Sequence, residues 1–508
     1  MTALQDFLTQ YPVTGKQRPW PRYQLDGETW SALRDRLQSE DWELLALWGE
    51  PACVHAVLRD PIDGSVAVVS HRCRDGGYAS LGLVRPGAIR MERACADLVG
   101  LVAADSPDPR PWLDHGQWTM QHPLAVAPAG TTPGEPARAA TDYRFLAVEG
   151  EGVHQVAVGP VHAGIIEPGH FRFHANGELV VRLEQRFGYT HKGIERLMQG
   201  KSVADAATLA ARLSGDSTVA HSLAFARAVE AALGVRAPPR ADFLRALMAE
   251  LERIANHIGD FGAICNDAAF AFLQAEATTL REDVLRLSAT LFGHRLMMDR
   301  VIPGGVTTDL APDSSDMVKR FVSELGHKFN RLAAIYDNKP SLLDRTIGTG
   351  AVQGYMVHRF AAGGFIGRAS GRSFDARQSP GYHPYDVLEF EVPMMAEGDV
   401  HARVWIRIRE VRQSLKLIQQ ILARLPQGPL SVDLRGQSGE GLAIVEGFRG
   451  EIVTWVRLAD DGTVARCHPR DPSWLQWPIL EAAIEGNIIA DFPICNKSFN
   501  CSYSGHDL

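Results

Sequence analysis

Two short runs early in the chain, Cys53–Leu58 (CVHAVL) and Gly64–Val69 (GSVAVV), are rich in apolar, strand-forming residues. Asp60-Pro61-Ile62-Asp63-Gly64 lies between them and carries turn chemistry, so the pattern predicts two strands joined by a turn. Met91–Val102 has apolar residues at helical spacing, and Ser106-Pro107-Asp108-Pro109-Arg110-Pro111 breaks it. Residues 1–118 therefore read as a small α/β unit. Residues 119–145 are rich in Pro, Gly and small side chains and read as a linker. Strand-like alternation appears in Phe171–His174 and Leu179–Leu183 around Asn176-Gly177, a hairpin signal. From about residue 190 to 425 the period changes to 3.6. Phe243, Leu244, Leu247, Leu251, Ile254, Ile258, Phe261 and Cys265 share one helical face. Val404–Leu425 predicts a second long helix, closed by Pro426 and Gly428, and residues 430–460 return to strand-like patterning. The expected class is α+β. A small N-terminal α/β domain precedes a domain over 146–508 with a helical core and peripheral β hairpins.

Composition narrows the function classes. Of 508 residues, 45% are hydrophobic and 22% charged, which excludes a disordered or fibrous chain. Lys+Arg is 52 against 60 Asp+Glu, a net charge of −8, and no basic block is present, so nucleic acid is not an expected partner. No signal peptide pattern opens the sequence, and no run approaches the 18 apolar residues of a membrane span. The seven cysteines, an odd number, suggest reduced thiols in a cytoplasm. No phosphate-cradling glycine motif and no four-cysteine run for an iron–sulfur cluster occurs.

Several segments follow one another in a distinctive order. They include Gly159-Pro160-Val161-His162 leading to Glu167-Pro168-Gly169-His170, then Gly188-Tyr189-Thr190-His191-Lys192-Gly193. Arg253-Ile254-Ala255-Asn256-His257, Gly367-Arg368-Ala369-Ser370-Gly371, Glu446-Gly447-Phe448-Arg449-Gly450-Glu451 and Ile489-Ala490-Asp491 follow. Residues 146–508 resemble the large subunit of membrane-associated group 4 nickel–iron hydrogenases and its relative, the quinone-pocket large subunit of respiratory complex I. Residues 1–118 resemble the 30-kDa-type subunit of the same complexes, through Met91-Glu92-Arg93, Asp97, Gly100 and Ser106-Pro107-Asp108. The resemblance implies a peripheral subunit on the cytoplasmic face of a membrane. It implies an iron–sulfur small subunit and membrane ion-translocating subunits as partners, with electron transfer coupled to proton or cation movement.

It also implies a metal site that this sequence does not carry. The family's nickel–iron centre is held by four cysteine thiolates, which suit a soft metal. The four corresponding positions here are Ser214, Ser217, Ser502 and Gly505. A nickel–iron centre is therefore not expected, and this chain is expected to hold no metal. The quinone-holding positions of the complex I relatives fall near Ile166–Glu167 and at Gly215, so quinone is only a candidate ligand. His162 is the histidine retained in the first hairpin.

The candidate catalytic set is Asp216 between the hydroxyls of Ser214 and Ser217, together with Glu167, His170 and His506. Partial desolvation is expected to raise the Asp216 pKa towards neutrality. Glu167 and His170, three apart, suit a proton relay, and His506 is expected to join them from the C-terminus. The resemblance makes His191 and Lys192 face the partner's iron–sulfur cluster, where positive charge favours the reduced state. Asp375, Arg377 and Arg449 are expected to form a buried ionic set. His257 reads as a satisfied core histidine and Cys495 and Cys501 as small buried hydrophobes. Alternative functions are a non-redox coupling subunit, an active hydrogenase with another ligand set, or a complex I-type NADH/quinone oxidoreductase subunit. A metal hydrolase lacks the histidine spacing such sites need.

Overall fold

The apolar runs of the N-terminal region build a four-stranded sheet whose longer strands are buried along most of their length. Strands β1 (Arg22–Leu25), β2 (Glu43–Glu50), β3 (Cys53–Arg59) and β4 (Val66–Arg72) lie in the order β1-β4-β3-β2. β3 and β4 pair antiparallel with Cys53 opposite Arg72, as the turn between them dictates. Helices α1 (Gly27–Ser39) and α2 (Ala88–Val99) belong to the same unit. Asp26 caps α1 through a 2.8 Å bond from the Thr29 amide, and Gly100 ends α2 in the left-handed conformation. The computed structural model describes residues 3–73, 75–125, 143–163, 166–434 and 438–508. Most of the expected linker, residues 126–142, lies outside them, as does the 164–165 part of the first hairpin.

Strands β5 (Val153–Val158), β6 (His170–Asn176) and β7 (Leu179–Arg186) form an antiparallel sheet, with the β6–β7 turn at Asn176-Gly177 as the sequence predicts. Long helices follow: α3 (Thr218–Leu233), α4 (Pro239–Asp267), α5 (Ala271–Phe292), α6 (Ser314–Asp337) and α7 (Val400–Arg424). α4 packs against α5 and α7, and α6 closes the bundle. A further sheet contains β8 (Gly439–Gly447), β9 (Gly450–Leu458) and β10 (Val464–Arg470), with α3 laid across it. The chain ends in α8 (Ser473–Ala483), α9 (Phe492–Phe499) and the single turn α10 (Tyr503–Asp507).

The N-terminal unit does not hang from the rest. Gln17 and Arg18 add a parallel strand to β8, opposite Glu440 and Gly441. One apolar core runs from Trp30 and Trp48 to Trp455 and Trp477. Arg372 donates two bonds of 2.8 Å to Glu43, which Arg59 also contacts at 2.8 Å. Burial alone would raise the Glu43 carboxyl, but these two guanidinium groups overcome it and hold the pKa at about 2.

α4 is buried on almost every face, so its charged residues need partners within the protein. His257 Nε2 lies 2.7 Å from Glu410, but its buried Nδ1 has no hydrogen-bond partner among the described residues, so the expected core histidine is only half satisfied. Arg368 donates to Glu410 at 2.8 Å and Glu446 at 2.9 Å, and Arg377 joins Asp375 at 2.7 Å and Glu250 at 3.0 Å. Arg449 is not part of the Asp375–Arg377 pair, contrary to the sequence-based expectation. It sits on the two-residue β8–β9 turn and is directed elsewhere.

Candidate active pocket

Ser214 precedes a one-turn 3-10 segment, Gly215–Ser217, that leads directly into α3. The Ser214 hydroxyl donates to Asp216 Oδ1 at 2.8 Å, and Ser217 Oγ donates to the same oxygen at 3.2 Å. The three residues are thus brought together as expected. Their electrostatics are not as expected. Arg449 reaches in from the β8–β9 turn and donates from Nη1 and Nη2 to both Asp216 oxygens, at 2.8 and 2.6 Å. Burial pushes the Asp216 carboxyl up, but the guanidinium and the Ser214 hydroxyl outweigh it, and the pKa is lowered rather than raised. Asp216 is therefore an ionised partner of Arg449. Asn256 on α4 donates to the Asp216 carbonyl at 2.8 Å, and Arg449 Nε donates to the Asn500 carbonyl at 2.5 Å.

The C-terminal segment closes the pocket. Ser502 Oγ lies 2.9 Å from Ser214 Oγ and accepts from the Gly505 amide at 2.9 Å. The positions equivalent to the metal-binding cysteines thus converge in space, which tests the fit directly. Ser214, Ser217 and Ser502 offer hydroxyls, and two of them bond to one another. At Gly505 a β-carbon would stand 2.7 Å from Asp471 Oδ2 and 3.0 Å from Ser502 Oγ. Asp471 is fixed there by His221 Nε2 at 3.0 Å and by capping the Ser473 amide at 2.8 Å. A thiolate at 505 has no room, and the Arg449 charge stands among the remaining positions. A nickel–iron centre does not fit this residue set. Among the described residues, no group of three or more His, Cys, Asp or Glu could hold a metal ion. Cys495 and Cys501 are free and buried, and burial raises both thiols. Gly215 is exposed, and an added β-carbon meets nothing within 4 Å, so the position equivalent to the quinone-holding tyrosine is open space without a hydroxyl.

The remaining candidates divide. Glu167 is exposed and accepts a long 3.4 Å bond from the Ser504 amide, while Lys192 Nζ donates to the Ser504 carbonyl at 3.4 Å. Lys192 also donates to the Leu213 carbonyl at 3.0 Å, and burial lowers its pKa. His170 is buried, bonds the Gly159 carbonyl through Nδ1 at 3.2 Å and accepts from Arg172 Nε at 3.3 Å. His162 bonds the Gly169 carbonyl at 2.8 Å and staples the base of the first hairpin. His506 does not join Glu167 and His170. Its ring stacks on Trp474 at 4.4 Å and lies edge-on to Trp112 and Phe187, with Nδ1 2.9 Å from Asp507. The apolar rings offer it more contact than a polar hairpin mouth would. His191 stacks on Trp118 at 4.9 Å and bonds the Asp507 carbonyl at 2.7 Å. His191, Lys192, Trp118 and Met120 line an open cleft of about 440 Å³.

Sequence reading missed Arg449 as the Asp216 partner, and also Asn256, Asp471 and His221. The Glu446-Gly447-Phe448-Arg449-Gly450 run carries a tight-turn signal, but which cavity the turn tip enters is a tertiary fact.

Comparison with known proteins matches this architecture. An NADH-quinone oxidoreductase subunit of Roseiflexus sp. (strain RS-1) is 32% identical over 354 residues, covering 66% of this chain and 94% of that protein. The chain belongs to the complex I 49 Kd subunit and nickel-dependent hydrogenase superfamily. The model of the respiratory-chain NADH dehydrogenase 49 Kd subunit family matches residues 269–437 and 433–507, and that of the nickel-dependent hydrogenases matches 192–265. Formate hydrogenlyase subunit 5 of Escherichia coli (strain K12) is 29% identical over 442 residues, 85% of this chain and 77% of that one. A chain from the structure of the membrane-bound sulfane sulfur reductase, an archaeal respiratory membrane complex, superposes with a TM-score of 0.67 at 26% identity. It covers 70% of this chain and 99% of the other. These superfamily members thus include hydrogenase and NADH-quinone oxidoreductase subunits. Among the described residues, no helix is long and apolar enough to cross a membrane.

Proposed function

We propose that this chain is the peripheral large subunit of a membrane-bound oxidoreductase assembly, on its cytoplasmic face, in which electron arrival is coupled to proton or cation movement without a nickel–iron centre. One observation carries the reading: the Asp216–Arg449 ion pair and the Ser214–Ser502 hydrogen bond stand where the superfamily's hydrogenases have thiolates. An ion pair of this kind responds to charge. An electron reaching an iron–sulfur cluster in a partner small subunit adds negative charge, which draws Arg449 away from Asp216 or recruits a compensating proton. His191 and Lys192 line the cleft on which such a partner would seat, and their contacts with Asp507 and Ser504 connect that cleft to the pocket wall. Glu167 at the mouth supplies an exposed carboxylate for proton entry, and His162 and His170 hold its hairpin in place. Quinone is one acceptor class to test.

The experiment is purification of the native complex with every subunit identified. Metal content is then measured, along with the electron-paramagnetic signal of the adjacent cluster on addition of quinone or other acceptors. The proposal expects no stoichiometric nickel and a cluster signal that responds to an acceptor. Nickel at one equivalent per chain overturns it. A cluster indifferent to every acceptor supports a second reading, a non-redox subunit that only transmits a charge-driven rearrangement, which the plugging of the pocket by Arg449 favours.

A further inference from the structure

Glu252 is a second acid behind the pocket. It lies on α4, one turn before Asn256, and is buried. Its carboxyl oxygens accept from the Val219 and Ala220 amides at 2.7 and 3.1 Å, at the start of α3. Among the described residues no cationic side chain pairs with it. Asp216 and Arg253 are the charged side chains that act on it most strongly, and the other charges of the pocket are engaged elsewhere. Asp216, on the turn leading into α3, is of like charge. Arg253, on α4 itself, spends its Nη1 and Nη2 donors on the carbonyls of Gly447 and Glu446. His221 on α3 is held by Asp471, and Arg449 from the β8–β9 turn is held by Asp216. Asn256 ties the two acids mechanically, since its amide donates both to the Asp216 carbonyl at 2.8 Å and to the Glu252 carbonyl at 2.9 Å.

A buried acid bonded only to backbone amides, with a neighbouring carboxylate and no counter-ion, has little to hold it ionised. We infer that Glu252 is a proton-storage site whose occupancy is set by the state of the Asp216–Arg449 pair. While the pair is closed, its charges cancel and Glu252 keeps its proton. When Asp216 takes up a proton, its charge no longer holds the Glu252 proton in place, the positive charge of Arg449 is freed, and Glu252 passes its own proton to water. The step makes and breaks only O–H bonds. Burial pushes the Glu252 carboxyl up to about 8, against the pull of the two amides, and Asp216 adds to the rise, which agrees with a protonated resting state at neutral pH. By linkage, neutralising Asp216 lowers the proton affinity of Glu252, and protonation of Glu252 favours the ionised, closed pair.

This inference rests on the charge-coupled reading of the pocket, but its test needs neither electron donor nor acceptor, so the two can fail separately. Infrared spectra of the purified chain, or of the complex, are titrated from acid to alkaline pH. A carbonyl band of a buried neutral carboxylic acid should persist at neutral pH and be absent in E252Q, whose amide oxygen still accepts from Val219 and Ala220. E252D should move the band rather than delete it, which secures the assignment if E252Q folds poorly. In D216N, with Glu252 untouched, the band should vanish at a pH lower by about one unit or more. A band unaffected by both Glu252 variants overturns the inference, as does a D216N titration that coincides with wild type.

Discussion

Ser214 and Ser502, 288 residues apart in sequence, meet through their side-chain oxygens at 2.9 Å. This contact ties the turn before α3 to the C-terminal segment. It is a weak tie, since a neutral hydrogen bond contributes about 1 kcal/mol net. The stronger fastening is the bidentate Asp216–Arg449 pair beside it, and the first prediction concerns that pair.

Asp216→Asn should leave the Arg449 guanidinium, 5% exposed, without its carboxylate. Breaking a fully buried pair costs about 3–5 kcal/mol. Asp216 keeps 35% of its side chain exposed, so screening reduces the expected loss to about 2 kcal/mol. The folded pKa is depressed from 3.8, so this stabilisation is present above that value and lost as pH falls below it. Urea unfolding at neutral pH should show the gap between variant and wild type, and acid should close it. A gap independent of pH would exclude the ion pair as its source.

Glu43→Gln tests how the N-terminal unit is fastened. The Glu43 pKa of about 2, against 4.5 for the free side chain, corresponds to roughly 3 kcal/mol from contacts with Arg372 and Arg59. Because the folded value is depressed, this contribution is complete above pH about 4.5 and disappears as the pH approaches 2. Denaturation of E43Q and wild type followed across this window should converge at its acid end.

Gly505→Ala should drive a methyl group to 2.7 Å from Asp471 Oδ2. The carboxylate must retreat from His221, and overpacking of this kind costs about 1–3 kcal/mol. The His221 ring proton shifts followed by NMR should move away from their wild-type positions. Unchanged shifts would mean that the C-terminal turn yields instead.

Arg368→Met removes the cation shared by Glu410 and Glu446 and close to Asp375. Three buried carboxylates then compete for fewer donors. The loss should be about 3–5 kcal/mol or more, read as a fall in soluble yield and in urea midpoint. A Met variant as stable as wild type would show that the network confers no net stability.

The elements with strong periodicity were legible in the sequence. α4, α7, the β3–β4 pair and the β6–β7 hairpin lie where the apolar pattern and turn residues put them, because one buried face and a local turn suffice to specify each. The pocket was legible only as a list of positions. Asp216, Ser214 and Ser217 are neighbours in sequence and stay neighbours in space. Arg449 is 233 residues away from Asp216, and nothing local in its turn says which carboxylate it meets. Desolvation alone predicts a raised Asp216 pKa, and the unseen guanidinium reverses the sign. His506 was misplaced for a similar reason, since its nearest rings, Trp112, Phe187 and Trp474, come from three distant segments.

The pairing of Gln17 and Arg18 with Glu440 and Gly441 bears on how the molecule is made. A ribosome must add more than 400 residues after Arg18 before the first strand of that sheet can find its mate. Until then the outer row of amides and carbonyls on the early segment has only water, or another nascent chain, to bind. Closing so distant a contact is slow. Synthesis of this chain therefore leaves a long interval in which a chaperone would have work to do.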